Sequence, residues 1–323
     1  MNISVCITVL NEERSIRRLI ESLLVQTKKP AEIIIVDGGS LDKTVEIIKH
    51  YQKKDKSIKL LIEKGGIAHG RNTAIEIAKY SVIVSIDAGC IAYKDWLEKL
   101  VKPLEYEKVG ISAGFYTMTA SSALQAAMCV YLGIPPERFN PISYLPSTRS
   151  VAFKKEVWEN IGGFDEKLTN GGDDTKFFYS CVKTGFRIAR VGEAKVIWEE
   201  TGNLNFKKFM IKLFNHSRGD ARARIWWHPT QQLASHNIKI CLIYLRYFLA
   251  MVLIVLWLNG LFSTLYLSIL VSLYLSFPIW KWHEVVKDWR ARLWLPVVQV
   301  SSDLAVMSGF FSGLVYGISK KNN

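Results

Sequence analysis

Cysteine is scarce and scattered. The five thiols, Cys6, Cys90, Cys129, Cys181 and Cys241, are odd in number, widely spaced and set in apolar stretches. They form neither a zinc-ligand pattern nor a disulfide framework, so reduced side chains packed in a core are expected. Charge is almost missing from one long segment: between Ile240 and Trp280 the only formally charged residue is Arg246. That length of apolar chain supplies two membrane-spanning helices of about 20 residues each. No secretory leader is expected either. The chain runs from Met1 straight into Ile3-Ser4-Val5-Cys6-Ile7, with no charged n-region and no cleavage site. The expectation is a multi-pass protein of the cell membrane, its first two-thirds cytoplasmic and its C-terminal third the anchor.

Acid is what the segment before the apolar block lacks. Lys207, Lys208, Lys212, Arg218, Arg222, Arg224 and Lys239 face one carboxylate, Asp220, and account for much of the net charge of +13. Basic residues beside a membrane helix mark the cytoplasmic side and a contact for anionic headgroups, so membrane lipids are expected partners. A basic chain also fits nucleic-acid binding, but no nucleic-acid motif accompanies these residues and they abut the membrane segment, so no nucleic-acid partner is expected. With 323 residues the chain can hold one large or two ordinary domains.

The first hundred residues alternate between two patterns. Strands are expected at Ile3 to Val9, Ile33 to Val36, Ile58 to Ile62 and Val82 to Ile86. Between them, helices are expected over Glu12 to Val25, from an Asp42 cap to about Gln52, and over Ala68 to Lys79. Alternating β and α units predict an α/β fold, a mostly parallel sheet covered on both faces. Further strands are expected at Val109 to Met118, Arg149 to Lys154, Phe186 to Val191 and Lys195 to Trp198, and a helix over Asp173 to Thr184. From Phe206 to about Leu233 aromatics, among them Phe209, Phe214, Trp226 and Trp227, interleave with Lys and Arg. Such a segment can lie in the membrane interface or pack on a catalytic domain. Two spans follow, near Ile240 to Leu258 and Leu261 to Trp280, with Asn259-Gly260 at the turn. Leu295 to Ile318 is a third span or a partly submerged helix; Gly309, Gly313 and Gly317 could let helices approach closely, also between two copies of the chain.

No carboxylate interrupts the expected strands; several stand at their ends. Asp37 closes Ile33 to Val36 and precedes Gly38-Gly39-Ser40; Asp87 closes Val82 to Ile86 and precedes Ala88-Gly89. Such positions point into the crevice where open α/β sheets bind ligands. Asp37 can accept a hydrogen bond from a ribose or base, or simply shape a strand-to-helix turn. Asp87 can hold Mg²⁺ or Mn²⁺ while phosphate oxygens and waters complete the shell, or cap a helix. Arg71, within Gly70-Arg71-Asn72 at a helix start, can meet a base or phosphate, or remain a surface charge. Asp173 and Asp174 open a helix after Gly171-Gly172; one of them can serve as a general base, and Asp173 can be only a cap.

Together these segments resemble family 2 glycosyltransferases. The resemblance rests on Val5 to Glu13, on Ile35 to Ser40 with Asp42 and Thr44, and on Ala68 to Asn72. It extends to Asp87-Ala88-Gly89 at the place of an Asp-x-Asp motif, Ile161-Gly162-Gly163-Phe164-Asp165-Glu166, and Gly172-Asp173-Asp174 at the place of Gly-Glu-Asp. It implies a GT-A fold followed by C-terminal transmembrane helices, with inverting, metal-assisted transfer from a UDP- or GDP-sugar. It implies that Thr8, Asn11, Glu12, Asp37, Gly39 and Arg71 line the nucleotide-sugar pocket. Asp87 would bind the metal or the diphosphate, and Asp174 would be the base, with Asp173 in support. Arg222 could bind a donor or lipid phosphate, or serve only as membrane-surface charge. Gly89 departs from the pattern, standing where a second metal carboxylate is often found. The expected layout is a GT-A domain over 1–204, a basic amphipathic segment over 205–237 and a membrane domain over 238–323. The expected function is transfer to a polyprenyl- or dolichyl-linked glycan or a polysaccharide. The alternatives are a synthase acting on the polyprenyl phosphate itself and a non-catalytic membrane adaptor with a vestigial pocket.

Overall fold

The computed structural model describes residues 1–168, 171–199, 202, 204–226 and 236–319. They gather into two compact units, Met1–Thr119 with Arg138–Glu200, and Ala120–Glu137 with Thr201–Asn323.

The first unit is built on one eight-stranded sheet. Strands β1 (Ile3–Val9), β2 (Glu32–Asp37), β3 (Ile58–Ile62) and β4 (Val82–Ser85) alternate with helices α1 (Ile16–Leu24), α2 (Thr44–Lys54) and α3 (Ile67–Glu76). These four strands pair in parallel in the order β3-β2-β1-β4. β2 is buried throughout, as an apolar run without alternation demands of a strand covered on both faces. The short β5 (Cys90–Ala92) and α4 (Trp96–Val101) precede β6 (Val109–Met118); β7 (Val151–Lys154) and α6 (Lys155–Ile161) precede α7 (Asp173–Lys183) and β8 (Arg187–Trp198). The sheet continues β4-β7-β6-β8-β5, with β7 antiparallel to both β4 and β6 and β5 antiparallel to β8, so parallel pairs outnumber antiparallel ones in a mixed sheet. The two strands expected between Phe186 and Trp198 are one, bent where its register against β6 shifts. Asp42 stands two residues ahead of α2, where its carboxylate accepts the Thr44 amide (3.0 Å).

The reversed strand matters for the site. Ser85 at the end of β4 lies opposite Val151 at the start of β7. The loop that leads into β7 therefore lies beside Asp87. The C-terminal ends of β6 and β8 pair in parallel through Tyr116–Val196 and Met118–Trp198. They run in the same sense as β4, so one edge of the sheet gathers residues from 8 to 198.

The second unit holds α5 (Ala123–Leu132), which no sequence pattern marked, with α8 (Phe206–Ala223), α9 (His236–Leu258), α10 (Thr264–Trp282) and α11 (Trp289–Ser319). Ser122 and Asn205 cap α5 and α8 by accepting the amides of Gln125 and Lys208. The apolar face of α8, Phe209 and Leu213, packs with Ala127 and Met128 of α5 and Leu295 and Val298 of α11. Among the described residues three helices are long and apolar enough to cross a membrane, Asn237–Leu258, Thr264–Trp282 and Trp289–Tyr316. In the apolar window of each of the first two helices 6% of the residues are buried, against 44% in that of the third. A Cβ on Gly309 would lie 2.2 Å from the Phe214 carbonyl oxygen, and one on Gly313 2.6 Å from that of Arg218. The glycine spacing thus serves contact with α8 of the same chain. Arg246, the lone charge of its apolar block, pairs with Asp303, which also accepts hydrogen bonds from Tyr247 (3.1 Å) and Tyr274 (3.3 Å). Trp227 and the rest of 227–235 lie outside the described residues.

Candidate active site

Two loops at the sheet edge are laced together by the residues expected to line a nucleotide pocket. Asn11 adopts φ 57°; its amide donates to Ser40 Oγ (2.8 Å) and its Oδ1 accepts the Leu41 amide (2.9 Å). The Glu12 amide donates to Thr44 Oγ1 (2.7 Å). Asp37 is fully buried. Its Oδ1 accepts the amides of Gly39 (2.9 Å) and Ser40 (2.8 Å), and its Oδ2 the Ser40 hydroxyl (2.5 Å). Gly39, at φ +100°, permits that turn. Asp37 therefore has the turn-forming geometry its position allowed, with its carboxylate turned into the loop. Thr8 supports the start of α3: a Cβ on Gly70 would come within 2.9 Å of Thr8 Cγ2, so glycine there lets the helix carrying Arg71 sit against β1.

Arg71 is the hub of the site. It is 6% exposed. Its NH1 donates to Asp173, and its NH2 donates to Asp87 (3.0 Å) and Thr148 Oγ1 (2.7 Å). Burial opposes its charge, but Asp173, Asp87 and Asp174 outweigh burial and hold the guanidinium protonated. Burial likewise works against ionisation of Asp87; Arg71 first and Arg149 next hold that carboxyl below its usual range. The neighbouring Asn72 performs a parallel task. Its amide nitrogen donates to the Phe164 carbonyl and to Glu166 (both 2.9 Å), and its Oδ1 accepts from the Phe164 amide (2.8 Å) and the Trp158 indole (3.0 Å). Gly163 turns at φ +80° against that side chain. Arg71 and Asn72 thus fasten both acidic segments, 161–166 and 173–174, to one helix start.

The adjacent carboxylates at the start of α7 differ. Asp173 is 2% exposed and committed to Arg71. Asp174 is half-buried; its Oδ1 accepts only the Thr175 amide (2.8 Å), and its Oδ2 has no hydrogen-bond partner among the described residues. An ionised carboxylate with one uncommitted oxygen can accept a proton from a bound hydroxyl.

Among the described residues no three His, Cys, Asp or Glu side chains converge to hold a metal. Asp87, 28% exposed, offers a single carboxylate whose Oδ2 receives only a long hydrogen bond from Thr148 (3.4 Å). That donor set fits Mg²⁺ or Mn²⁺ only in the mode where one carboxylate and substrate phosphates share the ion. Arg222 lies in the second unit, its guanidinium 4.4 Å above the Tyr316 ring. Sequence reasoning gave Thr148 and Arg149 no functional role; Arg149 stood only as the first residue of an expected strand, and β7 begins at Val151.

Residues 4–127 match the model of Glycosyl transferase family 2. The chain is 28% identical over 186 residues to glycosyltransferase AglE of Haloferax volcanii, a match covering 53% of this chain and 58% of AglE. It is 24% identical to the uncharacterized glycosyltransferase EpsJ of Bacillus subtilis, covering 74% of each. In three dimensions it resembles mannosyltransferase PcManGT from Pyrobaculum calidifontis, solved with GDP-Man and Mn²⁺. The TM-score is 0.69 at 17% identity, with 97% of this chain and 87% of that chain covered. The fold of the first unit is accordingly GT-A. The matched range stops short of the 161–166 and 173–174 segments, so roles there rest on geometry.

Proposed function

We propose that the chain is an inverting glycosyltransferase that moves a sugar from a UDP- or GDP-sugar to a lipid-linked glycan or polysaccharide. The observation that carries this reading is the division among the carboxylates around Arg71. Asp173 is consumed by the ion pair, Asp87 is held ionised at the sheet edge, and Asp174 keeps a free oxygen. In a single displacement the acceptor oxygen forms a bond to the anomeric carbon and gives its proton to Asp174. The bond from that carbon to the diphosphate breaks, and its electron pair leaves on the phosphate oxygen. Asp87 is the residue that would hold Mg²⁺ or Mn²⁺, which when bound neutralises part of the diphosphate's charge. Relatives support the class: AglE and EpsJ are named glycosyltransferases, and PcManGT was solved with GDP-Man and Mn²⁺.

The second unit supports work at a membrane, with α9, α10 and α11 in or against the bilayer. The basic residues of α8 would face anionic headgroups, and the GT-A domain would lie on the cytoplasmic side. The test is to supply membranes containing the protein with labelled UDP- and GDP-sugars, with and without Mn²⁺. Transfer into lipid or polymer that is lost in Asp174→Asn supports the proposal, and no transfer from any donor refutes it. Transfer retained by Asp174→Asn would assign the reaction to a polyprenyl phosphate acceptor, which is already an anion and needs no base.

A further inference from the structure

Arg149 is half-buried in the first unit, in the loop that β7 begins from, one residue after the Thr148 that touches both Arg71 and Asp87. Its guanidinium lies 3.8 Å from the Trp198 ring centroid and 5.1 Å from that of Tyr116. Those rings come from the C-terminal ends of β8 and β6, which pair there. Both are nearly fully buried and stack edge to face at 5.9 Å. They fix the plane of the guanidinium and strip water from one side of it. Of a guanidinium's five N–H donors, one is used, by NH1 to Ser147 Oγ at 3.0 Å. The Nε–H is buried and has no partner among the described residues. No carboxylate pairs with Arg149 among the described residues, although it lies in the field of Asp87 and Asp174. Arg71, by contrast, spends its charge on two aspartates.

A cation that is desolvated, oriented and left unpaired is arranged for an anion. We propose that Arg149 is a donor-binding residue whose guanidinium takes the diphosphate of the nucleotide sugar, a role that rests on the transferase reading above. Its place at the edge shared with Asp87 puts it where negative charge builds as the bond to the anomeric carbon breaks. It also answers the single-carboxylate metal position: with Gly89 beside Asp87 instead of a second acid, the chain supplies a fixed positive charge of its own. Arg suits the task better than Lys, because a planar fork stacked on indole presents its donors in a set direction.

The test is calorimetric titration of the full-length protein in detergent with UDP and with GDP, each with and without Mn²⁺. It compares wild type, Arg149→Gln and Arg149→Lys, with melting curves to confirm folding. For the nucleotide that wild type binds, Arg149→Gln should weaken affinity at least tenfold, with the larger loss in the absence of Mn²⁺. Arg149→Lys should lose at least threefold. Wild-type affinity in either folded variant overturns the inference and leaves the transferase proposal standing. So does a defect that appears only in the KM for acceptor. Failure of wild type to bind either nucleotide overturns the transferase proposal and this inference with it.

Discussion

Replacing Asp173 with Asn tests whether the Arg71 ion pair holds the site together. Both side chains are buried, 7% and 3% exposed. Removing one partner of a buried ion pair leaves an uncompensated charge and costs about 3–5 kcal/mol. Arg71 keeps Asp87 at 3.0 Å and Thr148 at 2.7 Å, and Asn still offers a carbonyl oxygen, so the low end, about 3 kcal/mol, is expected. For a domain of this size each kcal/mol lowers the melting temperature by about 2–4 °C, so Asp173→Asn should melt about 6–12 °C lower. The assay is tryptophan fluorescence during thermal unfolding of the detergent-solubilised protein. A melting temperature within 2 °C of wild type would refute the claim that Asp173 is structural. A companion variant sharpens the point. Arg71→Met with Asp173→Leu removes the pair altogether, yet should not restore stability. Asp87 then loses the guanidinium that holds its carboxyl below the usual range.

The Arg246–Asp303 pair should behave in the opposite way. Arg246→Leu or Asp303→Leu alone should lower the melting temperature, and the double variant should recover most of the loss, because the single variants strand either the buried Asp303 carboxylate or its half-buried partner while two leucines leave no charge unpaired. Loss in the double variant equal to the sum of the singles would show the pair to be more than mutual compensation. His69, held by Glu63 (2.9 Å) and Glu166 (3.1 Å), has its pKa raised, chiefly by the Glu63 hydrogen bond. Its stabilising contribution is therefore complete below about pH 6.5, the unfolded value, and fades as pH rises through the folded value. The difference in melting temperature between wild type and His69→Gln should shrink from pH 6 to pH 9, and a constant difference would contradict that linkage. Gly89→Asp should lower the Mn²⁺ concentration for half-maximal transfer several-fold by adding a second carboxylate beside Asp87, as metal titration of activity would show.

What the chain discloses in one dimension depends on how local the cause is. β1, β2, β4 and β6 were legible because each is a short apolar run bounded by turn residues, and Asp87 because it ends one of them. The division between Asp173 and Asp174 was only partly legible. The pair is visible as a helix start, but which carboxylate remains available depends on Arg71, 102 positions earlier than Asp173. Arg149 left almost no trace, since its environment is assembled by pairing β6 with β8, and neither ring is near it in sequence. α5 was missed for a related reason. Its apolar residues are covered by α8 and α11 rather than by anything adjacent in the chain. The spacing of Gly309 and Gly313 marks a close-approach surface but cannot name the partner, which is α8.

The charges around the sheet edge also limit which residue can do what. Arg71 and Arg149 stand against Asp87, Asp173 and Asp174. Arg71 is buried and spent, and a diphosphate that displaced it from Asp173 would expose a buried carboxylate at a cost of several kcal/mol. The uncommitted cation is Arg149, and the uncommitted carboxylate oxygen belongs to Asp174. A donor diphosphate therefore has one fixed guanidinium available to it, together with any ion that Asp87 holds. An acceptor hydroxyl has one base. The ion pair beneath them binds no substrate in this scheme. Its work is to offset repulsion among the aspartates while one Asp174 oxygen stays uncommitted.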